Sequence, residues 1–462
     1  MTEGERRSQR RSKRAKAARQ SAVAELLSRR ALLKQAGATL STFALGVGCS
    51  GDDGAPADPG AAGEGICGSA AGTSPMAGTS AGAAGSAGSS AGSAGVSGTG
   101  AGASSGTGGE PQAGSAGTMA SDGGPSAGAS GEDAGGVGRT RVAIVRRANL
   151  DEAVALAADL AGGLEAIQPG QTVFIKINAV SDRAIGTPGI RTSNEMIGAV
   201  VRLIKTRNPG RIIVGDRSAR QFPNSMEVFQ NAGIEQAALD AGADEIYAAP
   251  SPTADPDAWL LMQPPDFETS WSGPGGILCM RRILEADHLI NVPTCKNHRY
   301  ALFSLSMKNF MGAIGDSSRD PIHFGDSIGG NFGPIGRDMA ILNQPFSPLL
   351  NILDASTALI NGGPQGDSAD AVRVSPGLVF ASRDRIALDA AAVSLIKLEL
   401  GRTDVPQPDA SHETLLATNA WSLPQIVEAG MRGIGATSAA DVDLAFDDVP
   451  DAAALEALFR AS

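Results

Sequence analysis

The sequence predicts an α/β fold with a mostly parallel layered sheet, helices on both faces, preceded by a disordered Gly/Ala/Ser tether. Three observations carry this. Short apolar runs alternate with segments of helical periodicity from residue 139 onward, the runs read as continuously apolar rather than alternating, and the 89 or so residues before them have no apolar period at all.

The folded part begins with a strand over 140–147 (TRVAIVRR) and a helix over Leu150–Leu164. Thr172–Asn178 (TVFIKIN) is an apolar strand with Lys176 and Asn178 on one face near its carboxyl end. Thr192 or Ser193 caps a helix that runs to Lys205 and stops at Asn208-Pro209-Gly210. Arg211–Asp216 is a buried strand closing on Asp216, followed by helices over 225–231 and 234–241 and a strand near Glu245–Ala248. The Pro-, Asp- and Trp-containing segment 250–274 reads as an excursion or lid. Strands near Ile277–Arg281 and His288–Val292, a helix around Leu302–Met311 and a Gly-rich loop over Gly325–Gly336 come next. A strand over Leu349–Asp354, a strand over Leu378–Ser382 and a helix over Ile386–Leu400 lead to a C-terminal helix, strand and helix near 424–431, 441–446 and 451–460.

Charge and glycine divide the chain before any residue is singled out. More than half of the 60 glycines precede residue 140, so the part able to build a core is 139–462. Residues 1–34 hold 11 of the 38 basic residues and 3 of the 49 acidic ones. The remainder has 27 basic and 46 acidic groups, a formal −19. A body that acidic is a poor partner for nucleic acid or anionic lipid.

Residues 1–48 read as an address. Ser28-Arg29-Arg30-Ala31-Leu32-Leu33-Lys34 precedes a short apolar run, 36–48, that cannot span a bilayer. This resembles a twin-arginine export signal, and Leu45–Ser50 resembles a lipoprotein cleavage box with Cys49 as the lipidated residue, although Gly46 stands where that pattern expects Leu. The resemblance implies a bacterial protein exported by the twin-arginine machinery to the periplasmic side and held at the membrane through a lipid anchor. A basic helix followed by linker is the alternative. Residues 49–138 form the linker, with a root-mean-square reach of about 50 Å for a Gly-rich coil.

Four predicted strands end in polar residues: Lys176 with Asn178, Asp216, Lys296 with His298, and Asp354. In a parallel sheet, ligands bind outside the carboxyl ends of the strands, so these residues are expected to line one crevice. The stretch Ala286–Gly315 concentrates the polar chemistry, adding Lys308 and Asn309, with His323 just after it. Two chemistries are open. Lys176, Lys296 and Lys308 can clamp an anionic small molecule while His298 or His323 moves protons, with Asn178, Asp216, Asn309 and Asp354 as further ligand-binding residues. His298 and His323 can instead hold a metal ion with Cys295 and an Asp such as Asp316 or Asp354. Against both stand a hydrogen-bonded structural role for His298 and a solvated helix face for Lys308. Cys295 is read as a small buried residue, with a reactive thiol or a disulfide to Cys279 as alternatives.

The order of these motifs resembles the family called domain of unknown function 362. The matching pieces are IKIN, IIVGDRS, ADHLINVPTCKNH, SMKNFMGAIG, His323, ILDAS with GGPQG, and ASRDRIALDA, across about 141–440. Many relatives carry an added ferredoxin-like four-Cys segment. Here Cys49, Cys67, Cys279 and Cys295 show no C-x-x-C spacing, so the sequence argues against an iron–sulfur cluster and leaves a metal ion open. The expected function is binding of a small anion at the strand ends with Lys/His chemistry upon it. A non-catalytic lipoprotein binding module is the alternative.

Overall fold

The computed structural model describes residues 139–182, 187–264, 267, 275–324 and 332–461. The twin-arginine signal, Cys49, the linker with Cys67, and residues 325–331 of the Gly-rich loop lie outside the described residues. Among the described residues no helix is long and apolar enough to cross a membrane.

Thirteen strands are present among the described residues: β1 (Thr140–Val145), β2 (Thr172–Ile177), β3 (Arg211–Asp216), β4 (Glu245–Ala248), β5 (Trp259–Met262), β6 (Ile277–Met280), β7 (His288–Val292), β8 (Thr294–His298), β9 (Leu302–Ser304), β10 (Leu350–Asn361), β11 (Val372–Val374), β12 (Leu378–Ser382) and β13 (Val442–Asp447). All but β5 and β6, which form a separate antiparallel pair, belong to one sheet of order β13-β1-β12-β10-β7-β2-β3-β4. From β10 to β4 every neighbouring pair is parallel. β1 and β13 are also parallel, while β12 runs antiparallel to both β1 and β10. Along this path the sheet is therefore mostly parallel with one reversed strand, β12, and the off-path strands β9 and β11 add antiparallel pairs. β10 turns back through β11, which pairs with it antiparallel, instead of through a helical crossover.

Continuous apolar strands reflect burial on both faces. Val142, Ile144, Phe174, Ile213 and Leu289 enter one hydrophobic cluster, and their immediate neighbours Ala143, Val145, Val173, Ile175, Ile212, Val214 and Ile290 enter the other. Helices Leu150–Leu160, Asn194–Lys205 and Ile234–Ala241 supply the second cluster; Gly333–Asn343, Arg385–Arg402 and Pro424–Met431 supply the first. Capping follows the local sequence: Ser193 Oγ accepts the Met196 amide, and Asp384 accepts the Ile386 and Ala387 amides, each satisfying orphan donors of a first turn.

Two of the elements that differ from expectation bear on the site. The helix expected over 302–311 begins as β9, because Leu302, Phe303 and Ser304 pair antiparallel with His298, Asn297 and Lys296, leaving only Ser306–Asn309 and a 3-10 turn, Phe310–Ala313, helical. Hairpin pairing with β8 overrides the helical spacing there. The expected strand over Leu349–Asp354 continues to Asn361, far enough to pair with β8 and β11 beyond the sheet's main path.

The chain visits β2, then β3 and β4 on one side, and returns to place β7 on the other side of β2. That reversal opens a crevice at the carboxyl ends of β2 and β7, the position where open α/β sheets bind ligands.

Candidate anion site at the strand ends

A cavity of about 250 Å³ lies at this reversal, lined by residues that include Asn178, Asp216, Lys296, His298, Lys308 and Asn309. Six of the residues singled out by sequence thus meet in one place. The volume lies below the roughly 300–1,000 Å³ of pockets for drug-sized ligands and fits a small metabolite.

Its floor is a buried ion pair. Lys176 is wholly buried at the end of β2, and its Nζ lies 2.7 Å from Asp216 Oδ1 at the end of β3. The same nitrogen donates to the carbonyls of Ile177 (2.7 Å) and Asn309 (2.9 Å). Burial pushes the Lys176 ammonium down and the adjacent Asp216 carboxylate opposes that shift. Asp216 in turn accepts the amides of Arg217 (2.8 Å) and Ala179 (2.6 Å), so all its charge is directed into fixed donors. Lys176 is a support of the site, beneath the cavity surface. Gly312 closes over the pair: a Cβ there would stand 1.8 Å from Asp216 Oδ1 and 2.8 Å from Lys176 Nζ.

The walls are cationic. Lys296 and His298 project from one face of β8, while Cys295 and Asn297 occupy the other. Lys296 Nζ donates to the carbonyls of Ile190 (2.6 Å) and Pro364 (3.2 Å). Asn297 holds the second acceptor's loop in place, since its Oδ1 accepts the Gly363 amide at 2.9 Å and its Nδ2 donates to Asp409 at 2.6 Å. Burial, and then the charge of Lys308, push Lys296 down to about 7; burial, and then Arg319, push Lys308 down to about 7. His298 is buried, and its Nδ1 accepts the Tyr300 amide at 3.2 Å, which places the proton of the neutral ring on Nε2.

Arginines complete the cluster, and the sequence reading passed over them. Arg217 forms a two-pronged pair with Asp316 (3.0 and 2.6 Å), and Arg319 donates to the carbonyls of Ile314 (2.9 Å), Ser218 (2.7 Å) and Arg217 (3.1 Å). Burial pushes Arg319 down to about 10. Arg220, paired with Asp320 at 2.9 Å, stands at the more exposed rim. Arg217 directly follows the polar strand end at Asp216 and was visible in IIVGDRS. Arg319 sits in a helix, Asp316–Phe324, that no apolar period announced.

The remaining candidates fall elsewhere or outside description. Asp354 is buried but does not line the cavity: it accepts the amide and hydroxyl of Ser193 (2.9 and 2.7 Å) and those of Ser356 (3.1 and 2.6 Å), joining β10 to a helix start. Asp316 is engaged by Arg217. His323 belongs to the helix Asp316–Phe324, with its side chain outside the described residues. His288 lies at the opposite end of the sheet, bonded to Gln171 at 2.8 Å. Cys279 and Cys295 are separate buried thiols, and burial pushes both far up, so Cys295 is the small buried residue expected and not a thiolate. Among the described residues no group of three or more His, Cys, Asp or Glu side chains is arranged to hold a metal ion.

Two amide oxygens of the cavity residues, Asn178 Oδ1 and Asn309 Oδ1, are buried with no hydrogen-bond donor among the described residues. Asn309 Nδ2 is fixed by Asn291 Oδ1 (2.8 Å) and Lys176 O (3.3 Å), so the amide is held in orientation.

The family model described as Domain of unknown function (DUF362) matches residues 173–394, which contain every residue of the cavity named above. A thylakoid-associated protein of Synechocystis sp. is 24% identical over 279 residues, covering 56% of this chain and 78% of that protein. Two solved structures are also similar. The lactate racemase apoprotein from Thermoanaerobacterium thermosaccharolyticum has a TM-score of 0.33 at 13% identity, covering 50% of this chain and 53% of its own. A protein from Thermotoga maritima has a TM-score of 0.31 at 11% identity, covering 49% and 53%. The chain thus spans about half the length of these structures.

Proposed function

Residues 173–394 belong to the DUF362 family, and from that premise we propose that this domain binds a small anionic molecule in the cavity at the carboxyl ends of β2, β3 and β8 and acts on it by Lys/His chemistry. The observation that carries the reading is the convergence of Lys296, Lys308, Arg217 and Arg319 on one small cavity of a protein whose formal charge is −11. Lys296 has only carbonyl acceptors for its buried nitrogen among the described residues, and an anion entering the cavity supplies a charge partner at short range.

Chemical action on that anion rests on proton transfer. An amine with a pKa near 7 exchanges a proton at neutral pH, and Lys296, Lys308 and His298 all face the same space. Lys176, Asp216 and Gly312 hold the floor rigid beneath them.

Thermal unfolding of the full chain with a panel of small carboxylates and phosphates tests the binding. The reading expects a subset of anions to raise the transition temperature of the wild type and not that of Lys308→Met. An unchanged transition with every anion would refute it. Turnover of a bound anion, followed by NMR, separates an enzyme from a binding module.

We also propose, on the sequence of residues 1–48, export by the twin-arginine route and anchoring through Cys49. Arg29→Lys with Arg30→Lys is expected to abolish export, and continued appearance outside the cytoplasm would contradict it.

A further inference from the structure

Lys296 differs from the other lysines of the site in how its nitrogen is bonded. Lys176 has a carboxylate partner and two carbonyl acceptors, using all three N–H groups of an ammonium. Lys296 Nζ has two acceptors, Ile190 O and Pro364 O, and no carboxylate within ion-pair distance among the described residues. A neutral amine has two N–H groups and one lone pair. Two carbonyls therefore take both hydrogens and leave the lone pair without a protein partner, on a side chain that lines the cavity. A second cationic side chain, Lys308, lines the same space, an arrangement that favours the uncharged, nucleophilic form of a desolvated lysine.

Resting on the anion-binding reading above, we propose that the ligand is a small oxo acid and that Lys296 Nζ condenses with its carbonyl group to form an imine. The Nζ lone pair forms the C–N bond to the carbonyl carbon, and the C–O bond breaks. The oxygen leaves as water with one amine hydrogen and one proton from solvent, and the second amine hydrogen stays on nitrogen as that of the protonated imine, a net uptake of one proton per imine. His298 Nε2–H donates a hydrogen bond to the departing oxygen without losing its proton. No oxidant or reductant enters. The carboxylate of the ligand faces the cationic wall of Lys308 and Arg319, and the single N–H of the protonated imine keeps one of the two carbonyl acceptors. A protonated imine is an electron sink for the bond next to the carboxylate, which gives the site a reaction class: proton exchange or C–C cleavage beside a carbonyl carbon.

The experiment is reductive trapping. The full chain is incubated with pyruvate, 2-oxobutyrate or 2-oxoglutarate, or with acetate as a carboxylate lacking the carbonyl, then reduced with sodium borohydride and mapped by peptide mass spectrometry. The expected result is a single reduced adduct on Lys296 with at least one oxo acid and none with acetate. The adduct should be lost in Lys296→Met, whose folding is checked by its thermal transition. Because the site is mapped on the wild type, the result does not depend on that variant folding. Adducts confined to Lys308, or scattered over surface lysines, would overturn the proposal. So would an oxo acid that raises the thermal transition yet leaves no adduct, an outcome that keeps the anion site and removes the imine. Failure of every anion to bind would instead remove the underlying reading.

Discussion

Lys176 Nζ and Asp216 Oδ1, 2.7 Å apart at the ends of adjacent strands, form a buried ion pair that is the floor of the cavity. It joins β2 to β3 and, through Asn309 O, to the turn carrying Lys308. Removing one partner strands the other as an uncompensated buried charge. Lys176→Met is expected to cost about 3–5 kcal/mol of stability, and Lys176→Met with Asp216→Asn to cost less than the sum of the singles. A denaturant-unfolding double-mutant cycle measures this; additive losses would contradict a coupled pair.

Gly312→Ala is expected to disrupt the same floor from above. The new methyl would overlap Asp216 Oδ1, and its neighbours are a strand end and a packed turn with little room to retreat. A loss of roughly 1–3 kcal/mol follows from overpacking alone, with anion binding impaired in the folded fraction. Wild-type stability and affinity in this variant would show that the turn is looser than described.

Asp354 offers the contrasting case. Four hydrogen bonds to Ser193 and Ser356 define its role, so Asp354→Ala should lose about 1–2 kcal/mol of stability while leaving the anion response of the folded protein unchanged. Thermal shift with and without ligand checks both halves. A selective loss of ligand response would return Asp354 to the site.

The difference between Asp354 and Asp216 marks where the sequence stops being readable. Both close an apolar strand, and nothing local separates an acid that joins a helix start from one that supports a cavity; partners far along the chain decide it. The alternation of strands and helices was legible because the central strands are buried on two faces. β9 was not, since its three residues are strand only through pairing with β8. Lys296, His298 and Lys308 were legible as polar residues in apolar runs. Arg319 was not, because the helix holding it is short and mostly polar in sequence (DSSRDPIHF) and its three carbonyl acceptors lie outside that helix.

Stability should vary with pH through the lowered lysines and one raised acid. Lys296 and Lys308 sit near 7 in the folded chain against 10.5 for the ordinary group, so between those values the unfolded chain binds more protons and stability rises with pH. Asp389, pushed up to about 7 by burial, acts oppositely: from about pH 4 to 7 the folded chain holds the extra proton and stability falls as pH rises. These groups together place a minimum of stability near neutrality. Denaturant unfolding across pH 4–10 should show it, with Lys296→Met flattening the alkaline limb; an unaltered limb would mean Lys296 is charged and compensated.

The central claim is that an anion enters the cavity and restores charge to its lysines. Isothermal titration of an anion identified by thermal shift, repeated near pH 7.5 in buffers of different ionisation heat, tests this most directly. Near and above 7 both lysines are partly uncharged, and an arriving anion raises their affinity for protons. The account predicts net proton uptake, seen as a buffer-dependent heat that diminishes in Lys308→Met. A buffer-independent heat, equal in wild type and Lys308→Met, would contradict it.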